Sequence, residues 1–263
     1  MPAHLGTPIS RRLCHDDGME PNAAAPRHVV LVHGAWHGAW CYAALQTELD
    51  ARGVPSLAID LPGHGASTEP LTDLHGDARC VVKVLQALRE RGVTNPVLVG
   101  HSYGGAVISQ AAAWHGDVAH LVYLAAFALN DGESVLSSLM SFPRHDVALG
   151  AAIRARPDGT SVLDPDQAAP ALYGKCAPHV IAASLARLSP QPQATMSQAV
   201  AGDALSRVES TYVVCARDEA VHPEHQRLMA ARCTSSIELD TDHSPFVSAV
   251  RATADILESL ARA

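Results

Sequence analysis

Residues 97–107 read VLVGHSYGGAV. A short apolar run reaches Gly100, passes through His101, Ser102 and Tyr103, and meets Gly104 and Gly105 before small apolar side chains resume. Gly100 to Gly104 therefore spells Gly-x-Ser-x-Gly. The five-letter pattern is common; its place between a strand and a helix is the demanding part. So sharp a reversal strains the serine, needs small flanking residues to avoid clashes, and lifts the hydroxyl above the carboxyl edge of a sheet. The plainer reading, a glycine-rich turn whose serine caps a helix, is outweighed by the Pro-Val-Leu-Val run that leads into it. Ser102 is the candidate nucleophile.

A serine hydroxyl attacks poorly until a base takes its proton, and the base needs an acid to hold its tautomer. With this kind of turn the acid and then the base follow downstream, at strand ends. VVCARDEAVHP puts Asp218 first after a strand, and LDTDHSPF puts His243 between a strand and the last helix. Glu219, Asp240 and Asp242 compete for the acid's role. Asp218 is preferred because it stands first after its strand, whereas Asp242 adjoins His243 in sequence and is poorly placed to face its ring. Acyl transfer also needs donors for an oxyanion, here the backbone N–H groups of Tyr103 and, in HGAWHGAW, of Ala35. Gly34 leaves space beside the Ala35 N–H. His33, His64 and His101 read as structural histidines of loops, and the repeated HGAW as coincidence, the second copy opening a helix. Tyr103 and Phe127 are placed to contribute to a pocket from the core side, and Gly34 and Ser244 are further candidates for its lining.

Strand-like and helix-like stretches alternate from residue 28 onward, the pattern of an α/β fold with a mostly parallel sheet covered on both faces. The segment from Thr72 to Gly92 carries Leu74, Ala78, Val81, Val82, Leu85 and Leu88 on one helical stripe, and Phe246, Val247, Val250, Ala254, Leu257 and Leu260 mark one face of a closing helix. The alternation lapses over 129–207, where seven prolines interrupt mixed helical fragments; this reads as an inserted helical cap. The expected division is a flexible lead-in over 1–27, a core of 28–128 and 208–263, and the insertion between them. Met19 could be the true start, which would make 1–18 dispensable.

The chain has 263 residues and is 48% hydrophobic, enough for a large core in one domain. Nineteen basic residues against 27 acidic ones give a net charge of −8, which argues against nucleic acid as a partner. No apolar run approaches the ~20 residues of a membrane span, and the arginine pair near the N-terminus lacks the apolar stretch of a secretory signal. Six scattered cysteines without a CxxC pair suggest reduced thiols and a cytoplasmic setting. HPEHQ offers His222 and His225 without obvious further ligands, so no metal is expected, and no cofactor. The expected partner is a small-molecule substrate, with a homodimer left open.

LVHGAWHGAW, AIDLPGHGAS, LVGHSYGG, LVYLAAF, VVCARDEAVHPEHQ and DTDHSPF together resemble the α/β-hydrolase superfamily, in the branch of plant salicylate-type methylesterases, hydroxynitrile lyases and bacterial esterase relatives. The resemblance covers about residues 28 to 263 and includes LARLSPQP, similar to a cap segment of that branch. It implies the α/β-hydrolase fold, with Ser102, Asp218 and His243 as a catalytic triad and the 129–207 lobe as a helical cap. It implies a serine esterase acting on a small, largely apolar ester or lactone. A lyase, a natural-product tailoring enzyme (lactonisation, cyclisation or decarboxylation) and a hormone-type receptor remain alternatives, the receptor disfavoured because all three triad members are present. Lyases of the branch carry threonine and lysine where this chain has Gly34 and Ser244, and those substitutions remove the charge that would stabilise departing cyanide.

Overall fold

A computed structural model describes residues 25–263. Most of the expected lead-in, with Cys14 and Met19, lies outside the described residues. Four strands come first: β1 (Val29–Val32), β2 (Ser56–Ile59), β3 (Val97–His101) and β4 (His120–Leu124). Strands β5 (Ile153–Ala155), β6 (Thr160–Leu163) and β7 (Gln191–Pro192) lie within 129–207, and β8 (Ser210–Cys215) and β9 (Ser235–Leu239) follow that segment. Six of these form one sheet in the order β2-β1-β3-β4-β8-β9, and every pairing in it is parallel. All residues of β1, β3 and β8 are buried, as expected of central parallel strands covered on both faces, while the edge strand β9 is largely exposed.

The period of two sorts the strand residues into two cores. Val30, Val32 and Leu98 pack with α2 (Leu74–Glu90), α3 (Gly104–Trp114) and α9 (Pro223–Ala230) on one face. Val29, Leu31, Val97 and Val99 pack with α1 (Ala43–Ala51), α10 (Pro245–Ser248) and α11 (Val250–Arg262) on the other. Helix α2 starts where Asp73 accepts a bond from the Gly76 N–H at 2.7 Å. Its predicted stripe holds: Leu74, Ala78, Val81, Leu85 and Leu88 are buried, with Val82 half-buried. Each fully buried leucine there contributes about 2 kcal/mol by leaving water.

Three features differ from expectation. The closing helix is broken at Ala249 (φ −137°, ψ 44°), so Val250 is only half-buried and Ile256 takes a place in the core. The apolar stretch LVYLAAF is strand only as far as Leu124, and the chain turns at Ala125 with φ 45°. Segment 129–207 is not helical alone. Besides α4 (Val135–Ser141), α5 (Leu149–Ala152), α6 (Pro165–Tyr173), α7 (Pro178–Leu185) and α8 (Ala194–Ser197), it holds an antiparallel sheet in the order β5-β6-β7. Strands of three, four and two residues are too short to carry a period of two. The cysteines among the described residues are unpaired, and no helix among them is long and apolar enough to cross a membrane.

Candidate active site

Ser102 sits between β3 and α3 with φ +52°, a left-handed conformation that costs a non-glycine residue about 1 kcal/mol or more. The surrounding backbone fixes it. Its N–H donates to Leu124 O at 3.2 Å, and its carbonyl accepts from the N–H groups of Gly105 and Phe127 at 3.0 Å each. Glycine is required on both sides. A Cβ on Gly100 would lie 2.5 Å from Gly104 O, and one on Gly104 would lie 2.6 Å from Val32 O. Gly34 faces the serine itself, since a Cβ there would come within 2.9 Å of Ser102 Cβ and 2.8 Å of His101 Nδ1.

Asp218, at the turn after β8, and His243, between β9 and α10, are brought together. His243 Nδ1–H donates to Asp218 Oδ2 at 2.7 Å, with both residues buried. The bond fixes the tautomer and leaves Nε2 as the ring's basic nitrogen. Asp218 is saturated: Oδ1 accepts from the Ala220 and Val221 N–H groups at 2.7 and 2.9 Å, and Oδ2 also accepts from Gln226 Nε2 at 2.8 Å. Gln226 in α9 escaped the sequence reading. It also donates to Val221 O at 2.7 Å and accepts from the Cys215 N–H at 2.8 Å, so it ties the acid's turn to the end of β8. HPEHQ contains it, but there the sequence reading weighs only the two histidines, as metal ligands, and sets them aside. Among the described residues no group of three or more His, Cys, Asp or Glu is arranged to hold a metal ion.

The rival carboxylates are engaged elsewhere. Asp242 accepts from the Ser244 N–H at 3.1 Å and the Lys175 N–H at 2.7 Å, and Asp240 pairs with Arg217 at 2.7 Å on the surface. Glu219 is exposed. The histidines read as structural are buried and bonded to the backbone around the site. His33 Nδ1–H donates to Gly34 O at 2.8 Å while its Nε2 accepts from the Leu61 N–H at 3.1 Å. His101 ends β3 rather than lying in a loop, and its Nε2–H donates to His243 O at 2.8 Å. Burial, reinforced by His243, pushes the His101 pKa well below the ordinary histidine value, so it is neutral.

A cavity of about 330 Å³ opens onto Ser102. Ala35, Trp36, Tyr103 and Phe127 line its wall, with Val135, Leu139, Leu149 and Met196 among others from segment 129–207. The lining is mostly apolar. Ala35 and Tyr103 thus border the same space as Ser102, and Tyr103 opens helix α3, whose N-terminal dipole favours negative charge. Ser244 is not among the residues that line this cavity: it is fully buried immediately before α10.

Tyr103 carries a second feature. Its hydroxyl donates to Asp77 Oδ2 at 2.6 Å, and burial raises the Asp77 carboxyl from 3.8 to about 7, against the lowering effect of that bond. The native state therefore holds the Asp77 proton more tightly than the unfolded chain. Stability is lost as pH rises from about 4 to about 7, by an amount on the order of 4 kcal/mol. Asp77→Asn, which keeps an acceptor for Tyr103 without the charge, is expected to raise the thermal midpoint at pH 8 and leave it nearly unchanged at pH 4. A variant less stable than the parent at pH 8 would contradict this.

A serine on a strained strand-to-helix turn, with a carboxylate and an imidazole from two later strand ends of a parallel sheet, defines the class of α/β hydrolases. The chain belongs to that family: the model of the alpha/beta hydrolase family matches residues 29–256. It is 30% identical over 233 residues to the alpha/beta hydrolase nvfD of Aspergillus novofumigatus, covering 84% of this chain and 90% of that protein. It is 29% identical to methylesterase 7 of Arabidopsis thaliana, covering 83% and 90%. Among solved structures, a methylesterase from Arabidopsis superposes with a TM-score of 0.73 at 25% identity, covering 88% of this chain and 97% of that one. A pyrethroid hydrolase from Sphingobium faniae does so at 0.78, with 90% and 98% covered; at 24% identity it speaks to the fold alone.

Proposed function

We propose that the chain is a cofactor-free serine hydrolase that cleaves small, largely apolar carboxylic esters or lactones through an acyl-enzyme. The observation that carries this reading is the buried 2.7 Å bond from His243 Nδ1 to Asp218, in the same molecule as a strained Ser102 that opens onto an apolar cavity. Methylesterases among the relatives support it. In the mechanism, His243 Nε2 takes the Ser102 proton as Oγ attacks the ester carbonyl. The N–H groups of Ala35 and Tyr103 hold the oxyanion while Asp218 stabilises the imidazolium. Collapse expels the alcohol, which takes the proton from His243. Water, deprotonated by the same imidazole, then releases the acid and restores Ser102. Segment 129–207 acts as the cap that shapes the apolar part of the pocket.

The lyase reading is weaker on two counts. Gly34 has no hydroxyl to hold a cyanohydrin oxygen, and the space against Ser102 Cβ leaves none for a side chain. Ser244 brings no positive charge for departing cyanide. The test is a substrate panel: measurable hydrolysis of p-nitrophenyl acetate with negligible cleavage of mandelonitrile is the expected result. Ready cleavage of mandelonitrile with every activated ester left intact would overturn the hydrolase reading.

A further inference from the structure

Trp36 directly follows Ala35, and its backbone has φ +63°, a conformation a bulky L-residue holds only when its surroundings impose it. The insertion imposes it. All three polar groups of Trp36 are bonded to inserted residues: its N–H donates to Gln191 Oε1 at 3.1 Å, its carbonyl accepts from the Ser189 N–H at 2.9 Å, and its indole N–H donates to Ser161 Oγ at 3.2 Å. Gln191 is the centre of this grip. It is 1% exposed, and its Nε2 donates to Thr195 Oγ1 at 2.9 Å while Oε1 also accepts from His64 Nε2 at 3.0 Å. A backbone N–H can only donate, so the amide must present its oxygen to Trp36, and the orientation of Gln191 is settled. Strands β6 and β7 hold it there, with Ser161 paired to Gln191.

We propose that Gln191 is a positioning residue for the oxyanion hole. By fixing the peptide on the far side of Ala35 from Gly34, it aims the Ala35 N–H at the oxygen that becomes negative above Ser102. The inserted segment is then a working part of the catalytic apparatus as well as a roof. The proposal rests on the hydrolase reading above, because it takes Ala35 as an oxyanion donor. A buried glutamine that only stabilised the fold would affect binding and turnover without distinction. A positioning residue acts on the transition state alone, since misaimed donors are felt where charge develops.

The test compares Gln191→Met, which keeps length but loses the acceptor, with Asp164→Ala, which removes the N-terminal cap of α6 in the same segment yet leaves every bond to Trp36 in place. Gln191→Met is expected to lower kcat for p-nitrophenyl acetate by about 10–100-fold, less than deletion of an oxyanion donor costs. Its affinity for an aryl trifluoromethyl ketone, which forms a tetrahedral adduct on Ser102, should fall in parallel. Affinity for the matching methyl ketone, a ground-state analogue, should stay within about twofold. Asp164→Ala should stay near the parent in all three. Gln191→Asn keeps an amide but draws it back by about one C–C bond, 1.5 Å. It should show the same pattern at smaller size, and it decides the matter if the methionine variant does not fold. Equal losses for both ketones, or a Gln191 variant that folds and keeps full kcat, would overturn the proposal while leaving the hydrolase reading intact. A parent enzyme inactive on every ester would remove both.

Discussion

Ser102→Ala is expected to lower ester turnover by about 10⁶-fold, the loss that follows removal of the triad serine in an unrelated hydrolase. The size follows from geometry. The Ser102 hydroxyl is the group that the turn presents to the cavity beside Ala35 and Tyr103, and no neighbouring side chain of the mechanism can form the acyl bond in its place. What survives is the contribution of the oxyanion donors to attack by water. Stability should hardly change, and alanine relieves none of the left-handed strain. Initial rates on p-nitrophenyl acetate with a matched thermal melt check both statements, and retention of more than a tenth of the activity would remove Ser102 from its role.

Asp218→Asn is expected to cost about 10⁴-fold in kcat, because an amide in that place favours the wrong imidazole tautomer. Here the effect has a second source. Asp218 Oδ1 accepts two backbone N–H groups and Oδ2 accepts Gln226 and His243, so every contact of the carboxylate is with a donor. An asparagine NH₂ must face one of these donors, and burial leaves no water to relieve the conflict. Folding should survive at reduced stability, with the rate recorded across pH. A normal rate in a folded Asp218→Asn protein would transfer the acid's role to another carboxylate.

The turn around Ser102 was legible because its requirement is local: glycines at 100 and 104 answer clashes with backbone a few residues away or on the adjacent β1. The pairing of Asp218 with His243 was legible through chain order at strand ends, and the structure brings the two within hydrogen-bond distance. What sequence missed depends on partners brought together by tertiary packing. Gln191 meets Trp36 across 155 positions and rides on a two-residue strand with no period to detect. Gln226 serves an acid eight residues before it, but only after α9 folds back on β8. Asp77 looks like an ordinary first-turn carboxylate, which helix dipoles favour, until α2 turns it onto Tyr103 in the core. The Gly34 reading gained a sharper cause, the 2.9 Å approach to Ser102 Cβ. Ser244 is a pocket candidate through its adjacency to His243 in sequence; it lies fully buried and is not among the residues that line the cavity.

The central claim, that Ser102 is a nucleophile activated by His243 and Asp218, is tested most directly by intact-mass spectrometry after exposure to a fluorophosphonate. The reagent loses fluoride as the serine oxygen bonds to phosphorus, leaving a covalent mass increment. The account predicts one adduct per chain on the parent protein, carried by the peptide that contains Ser102, much slower labelling in Asp218→Asn, and none in Ser102→Ala. A folded parent that stays unlabelled, or an adduct that persists in Ser102→Ala, would contradict it.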